Sequence, residues 1–410
     1  MSQLNGPNWT VIQLGAREHY AVARALEQSG RLAQLVTDVW TTPGTNWRML
    51  SGKHSQKIAG RYHTDLKDAN VNSFSRQAFF FELKNRLGSK DAWDLIEKRN
   101  EHFQHLALQK IKGTLNSGSI VFVYSYAARN ILEYCKSISC TTILGQIDPG
   151  IYEENLVAEC VSEHPEFAGS FHRAPKSYWE NWHRECELAD IIAVNSEWSK
   201  EALEQSGVNS SKLRVLPLAY ESIEPAIGIN SRKHPKSFSR SRPLNVLFLG
   251  QAIPRKGIHL VLECAREVEE LPIQFTIVGN LNGLERLYKR PNIRAVGNQP
   301  RDTVKRFYQS ADVFLFPTLS DGFGLTQLEA RHWNLPLICS RNCAHVVEHD
   351  QNGWLLEEPT TDSITSTLTK ILESPETLKR WSSHPPAKRF DLKHLILNLI
   401  SMESQTCYAE

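Results

Sequence analysis

At 410 residues the chain exceeds what one hydrophobic core ordinarily serves, so two domains are expected. Its 47 Lys and Arg against 45 Asp and Glu, with 41% hydrophobic residues, describe an ordinary soluble protein and give no nucleic-acid signature. No apolar run reaches the roughly 18 residues a membrane span needs, the N-terminus lacks a signal-peptide pattern, and eight scattered cysteines offer no Cys-x-x-Cys pair. A cytoplasmic setting with reduced thiols and no metal site is therefore expected. Cys339 and Cys343 have three residues between them without a second ligand pair and are read as structural thiols.

In chain order, Trp9–Leu14 reads as a strand ending at Gly15, Glu18–Gln28 as a helix stopped by Ser29-Gly30, and Leu32–Val36 as the next strand. Ile120–Tyr124, Thr141–Leu144 and Ile191–Val194 repeat the short, wholly apolar strand type, each followed by a polar or helical stretch. The pattern restarts at Leu244–Leu249, with a helix near Ile258–Glu269, strands at Phe275–Val278 and Ile293–Val296, and a helix near Thr303–Ser310. Apolar strands alternating with helices mean parallel sheets covered on both faces. The fold class is therefore α/β, with two Rossmann-like doubly wound parallel-sheet domains facing across a cleft. The expected divisions are 1–222 for the first domain, 223–243 for a linker, 244–375 for the second domain, and 376–410 for a helical segment packing back on the first. The linker carries Arg232, Lys233, Lys236, Arg240 and Arg242. It is read as solvated, with an anionic-membrane or nucleic-acid patch as the alternative.

Residues 312–340 hold the densest chemistry. An apolar strand, Asp312–Phe316, leads through Thr318-Leu-Ser-Asp321-Gly322-Phe323-Gly324-Leu325-Thr326-Gln-Leu-Glu329 to a second strand, Pro336–Ser340. A glycine-rich turn opening into a helix presents unpaired backbone N–H groups, which suit an anion. Asp321 and Glu329, with seven residues between them, add two hydroxyl-accepting carboxylates. Together they fit a sugar joined to a nucleotide through phosphates.

These residues resemble the retaining GT-B glycosyltransferases of family 4, over about Ala189–Glu358 and more weakly through the first half. The resemblance makes the first domain the acceptor domain and the second the nucleotide-sugar donor domain. It places Glu329 on the donor ribose, Asp321 on the transferred sugar, and the amides of Gly322, Phe323, Gly324, Leu325 and Thr326 on sugar and phosphate. Gly250-Gln-Ala-Ile-Pro-Arg255-Lys256-Gly257 matches a family element whose lysine meets the diphosphate as the sugar leaves. Ala189–Leu203 followed by Leu213–Leu218 matches the last strand and helix of the acceptor domain. Asn280 and Asn298 end strands where the nucleotide base lodges, and side-chain roles there stay open.

Departures from the family pattern carry their own expectations. An arginine usually follows the first glycine, where this chain has Gln251. A histidine usually lies near the transferred sugar, where it has Gln146-Ile-Asp148. Asp148 or Gln146 is expected to take the sugar contact or the deprotonation of the acceptor. The first loop, Gly15-Ala-Arg17-Glu-His19, keeps one glycine for close approach of a phosphate, and Arg17 adds charge. His19 is read as a surface residue, with a base as the alternative. Phe79-Phe80-Phe81 is read as core, with contact to a lipid-linked acceptor at the inner face of a membrane as the alternative.

The implied activity is transfer of a sugar from a nucleotide diphosphate sugar to a hydroxyl acceptor with retention, in polysaccharide or glycoconjugate assembly. It needs no cofactor beyond the donor and no metal. A non-catalytic nucleotide-sugar-binding partner and a nucleotide-sugar epimerase are the rival readings.

Overall fold

The computed structural model describes residues 9–43, 60–85, 92–221, 232–385 and 387–406. Thirteen strands among them form two all-parallel sheets. The first contains β1 (Trp9–Gln13), β2 (Leu32–Thr37), β3 (Val71–Ser73), β4 (Ile120–Tyr124), β5 (Thr141–Gly145), β6 (Ile191–Val194) and β7 (Leu213–Val215), in the order β3-β2-β1-β4-β5-β6-β7. The second contains β8 (Leu244–Leu249), β9 (Ile273–Val278), β10 (Ile293–Gly297), β11 (Val313–Phe316), β12 (Leu337–Ser340) and β13 (Gly353–Leu356), in the order β10-β9-β8-β11-β12-β13.

Every residue of β1, β4, β6, β11 and β12 is buried, as a parallel strand covered on both faces requires. Helices Ala92–Ile111, Arg129–Ser137 and Lys176–Leu188 pack on one face of the first sheet. Ala21–Gln28 and the final helix Leu392–Thr406 pack on the other. The second sheet lies between Ile258–Glu267 with Thr361–Glu373 and, opposite, Arg301–Ser310 with Thr326–His332. In both sheets the strand order reverses beside the first strand, between β1 and β4 and between β8 and β11. Crevices for ligands open at the carboxyl ends of the strands at such reversals.

Several sequence expectations need correction. The segment from 376 does not cross back at once, because Leu378 and Trp381 of helix Glu376–Ser383 sit in the second domain's core and Arg380 is paired with Asp350. Crossing starts with Leu392, where Leu392, Leu395, Leu399 and Met402 join the first domain's core. Residues 223–231 of the expected linker lie outside the described residues; Lys233, Lys236 and Arg240 are exposed as expected, but Arg232 and Arg242 are tied to the second domain. Arg232 donates to the carbonyls of Tyr308, Ala311 and Trp333, satisfying acceptors where two helices end. Arg242 forms a two-pronged pair with Asp312 at 2.7 and 2.8 Å. Phe79 and Phe80 are not core either: they are 44% and 65% exposed on helix Ser75–Asn85, which has no fully buried residue.

Apolar contact also ties the domains together among the described residues. Phe167, in the 3-10 turn Pro165–Ser170 after the first domain's helix Gly150–Glu163, is buried in the second domain's core cluster.

Candidate functional site

The site of the second domain grows from the reversal between β8 and β11. Beyond β8 the chain makes a 3-10 turn, Pro254–Lys256, and enters helix Ile258–Glu267 through Gly257 in the left-handed region at φ 75°. A β-carbon at Gly257 would lie 1.9 Å from the Pro317 carbonyl oxygen, so only glycine lets this turn press against the end of β11. The turn thereby delivers Lys256 to the bend after β11, where its ammonium pairs with the Asp321 carboxylate and lies 5.2 Å above the Phe316 ring. Arg255 stands 3.7 Å from Asp321 and 3.5 Å from Glu153.

The electrostatics follow from this crowding. Burial works to raise the Asp321 carboxyl, but Lys256 and Arg255 outweigh it and hold it below its ordinary value. Burial lowers the Lys256 ammonium despite Asp321. Burial also lifts the Glu153 carboxyl to about 7, opposed by Arg255 and aided by Asp148 and Asp321. Glu153, in the first turn of helix Gly150–Glu163, was not a sequence candidate. A lone acid on a helix of the other domain has no local signature, and only the closed arrangement brings it to Arg255.

In the bend itself, the Asp321 amide donates to Asn342 O at 2.9 Å and Phe323 O accepts from the Ala344 amide at 3.1 Å. The amides of Gly324, Leu325 and Thr326 have no acceptor among the described residues. Glu329 lies in the first turn of the short helix Thr326–His332 and accepts from the Tyr308 hydroxyl at 2.7 Å. Burial raises its carboxyl, opposed by Tyr308 and Arg301.

The first domain closes directly on this bend. A β-carbon on Gly322 would lie 2.8 Å from the Ile147 carbonyl oxygen. Trp198 donates to Ser320 Oγ at 3.0 Å, and Ser199 donates to the Gly322 carbonyl at 3.3 Å. Asp148 belongs to the loop after β5, and its Oδ1 accepts from Tyr126 Oη, from the Gly150 amide at 3.0 Å and from Gln146 Nε2 at 3.3 Å. These bonds fix the carboxylate and leave Oδ2 without a hydrogen bond to the described residues. Gln146 is only 1% exposed, and its Oε1 is taken by Trp182 Nε1 at 3.0 Å. It therefore holds Asp148 in place and does not itself face the crevice.

The remaining candidates spread along the seam. The Gly15 amide donates to Asp38 Oδ1 at 3.0 Å and is not left open for a phosphate. Arg17 is exposed, while Glu18, His19 and Tyr20 follow in three successive left-handed conformations. His19 Nε2 is 3.2 Å from Arg301 Nη1, across the domain boundary. Asn298 is exposed at the end of β10, and Asn280 Oδ1 accepts from the Asn282 amide within its own turn.

A cavity of about 860 Å³ lies in the first domain and not at Asp321, because the Asp148 loop rests on the bend. It opens at the reversal between β1 and β4, with Gly15, Arg17, Arg61, Phe79, Tyr126 and Ile147 among its walls. Aromatic surface with a few charged groups is the usual composition of an organic ligand's pocket.

Residues 230–385 match the family described as Glycosyl transferases group 1. The chain is 25% identical over 199 residues to the amylovoran biosynthesis glycosyltransferase AmsK of Erwinia amylovora, covering 44% of this chain and 47% of that one. It is 26% identical over 205 residues to the MMP alpha-(1->4)-mannosyltransferase of Mycolicibacterium hassiacum, covering 47% and 48%. The match thus spans about half the length of these curated relatives. Over nearly the full length, 97% of this chain and 100% of the other, the fold superposes on Anabaena Alr3699/HepE in complex with UDP, with a TM-score of 0.61 at 13% identity. That likeness establishes the two-domain GT-B fold. No helix among the described residues is long and apolar enough to cross a membrane.

Proposed function

We propose that this protein transfers a sugar from a nucleoside diphosphate sugar to a hydroxyl acceptor, with retention at the anomeric carbon, in glycan assembly. The observation that carries the reading is the seam itself: Lys256, Arg255 and Asp321 meet the first domain's Asp148 and Glu153 where strand order reverses. The match of residues 230–385 to glycosyl transferases group 1 and the polysaccharide role in AmsK's name support it.

In this reaction the bond between the anomeric carbon and the phosphate oxygen breaks as the acceptor oxygen bonds to the same carbon. Negative charge grows on the departing diphosphate, and Lys256 and Arg255 are the cations placed to offset it. The diphosphate displaces the Lys256–Asp321 pairing, freeing Asp321 to accept hydroxyls of the sugar. The open amides at Gly324, Leu325 and Thr326 receive phosphate or sugar oxygens, and Glu329 holds the ribose. Asn298 borders the nucleotide through backbone contacts, while Gly15, its amide held by Asp38, offers only the close approach that the lack of a side chain allows. Asp148 Oδ2 takes the sugar contact or the acceptor's proton. Protein cations meet the leaving charge, so the transfer step calls on no metal ion.

The acceptor enters the first-domain cavity. Phe79 in its wall, with the exposed Phe80 ring edge-on against it, suits an acceptor with an apolar portion, such as a lipid-linked glycan presented at the cytoplasmic face of a membrane. Incubation with a panel of nucleotide sugars, with and without free and lipid-linked glycan acceptors, tests this by nucleotide release and product anomeric configuration by NMR. Acceptor-dependent release with a retained anomer is expected. Donor binding without turnover would replace the reading by a non-catalytic partner, and isomerised donor without transfer by an epimerase.

A further inference from the structure

A second group of reactive side chains spans the domain junction, away from the seam chemistry. Cys160 and His164 lie one turn apart at the end of helix Gly150–Glu163 in the first domain. His259, in the first turn of helix Ile258–Glu267, faces them from the second domain, with Glu263 one turn further on. One ligand atom from each of Cys160, His164 and His259 lies within 4.8 Å of the others. Cys160 Sγ is 3.5 Å from His259 Nε2, and Glu263 Oε1 is 3.9 Å from His164 Nδ1. Around a tetrahedral zinc, a thiolate at roughly 2.3 Å and an imidazole nitrogen at roughly 2.0 Å lie about 3.6 Å from each other.

From this geometry we propose a binding site for a thiophilic divalent cation of the zinc type, held by Cys160, His164 and His259, with Glu263 or a water in the fourth place. One thiolate and two imidazoles select zinc or cobalt over calcium or magnesium, which prefer all-oxygen sets. Each half alone is an ordinary i, i+4 pair at a helix end, so neither half marks a metal site in the sequence. Cys160 lies two turns beyond Glu153 on the same helix. An ion there cross-links the domains and fixes that helix against the segment bearing Arg255. Binding expels the Cys160 thiol proton to solvent, so affinity rises with pH.

The test uses the full-length, tag-free protein titrated with zinc chloride and with cobalt chloride. One equivalent is expected to bind, cobalt giving a thiolate charge-transfer band and zinc raising the melting temperature. Cys160→Ser is expected to abolish the band. His164→Asn, a milder change at a half-buried position, is expected to weaken binding roughly tenfold or more with unchanged circular dichroism. His105→Asn, on a distant helix, is expected to match the wild type. No saturable binding, or equal affinity and spectrum in Cys160→Ser and His164→Asn, overturns the proposal and leaves the cluster as interdomain packing.

Discussion

Lys256 is paired with Asp321, and in the proposed reaction it turns from that carboxylate to the departing diphosphate. Lys256→Ala is expected to slow nucleotide release roughly 10²–10³-fold, the range for losing one group that meets developing charge. Steady-state kinetics with saturating acceptor reads this, and a change in KM alone would assign the lysine to uniform binding. Glu329→Ala is expected to lose donor affinity, because it removes the proposed ribose acceptor and strands the Tyr308 hydroxyl. Asp148→Asn is expected to lower turnover with donor affinity retained. Calorimetry with nucleotide separates these two variants. At this scale the sequence was informative where the groups share a short stretch: Asp321 and Glu329 flank one turn, and Lys256 precedes a glycine. Glu153 escaped because its meaning comes from a partner in the other domain. Asp148 and Gln146 were open alternatives for one contact, and the buried, engaged amide of Gln146 favours Asp148.

Two elements carry the geometry beneath these residues. The turn Pro254–Lys256 holds its position through Gly257, so Gly257→Ala must shift either the helix start or the end of β11. A destabilisation of about 1–3 kcal/mol is expected, read by chemical denaturation. Helix Lys176–Leu188 supplies Glu185, whose buried carboxylate accepts the amides of Tyr126, Ala128 and Arg129 at 2.7, 2.8 and 3.1 Å. Burial lifts this carboxyl from 4.5 to about 7 despite those bonds. The folded protein therefore holds this proton where the unfolded chain releases it. The associated stability is full below pH 4.5 and is lost as pH rises through about 7. Glu185→Gln is expected to flatten the melting temperature's decline over that window and to lower it at all pH values, since its NH₂ confronts backbone donors. An unchanged pH slope would count against the burial argument. Wholly apolar strands such as β4 and β11 were evident from sequence. β3 (Val71–Ser73) and β13 (Gly353–Leu356) were not, because strands of three and four residues with mixed polarity resemble loops.

For the whole molecule, what sequence concealed was how the halves meet. Two doubly wound domains follow from the repeated strand and helix pattern, but Phe167 looks like any aromatic after a helix until it is found in the other domain's core. Phe167→Ala is expected to cost about 3–5 kcal/mol, or to split a single thermal transition in two, and calorimetry distinguishes these outcomes. The same junction closes the Asp148 loop on the Gly322 bend, so the spacious cavity belongs to the first domain alone. This separation has a pharmacological corollary. A small aromatic fragment lodged among Phe79, Tyr126 and Arg61 would block the proposed acceptor entry while leaving Lys256 and Glu329 untouched. Its inhibition would be competitive against the acceptor and not against the nucleotide sugar.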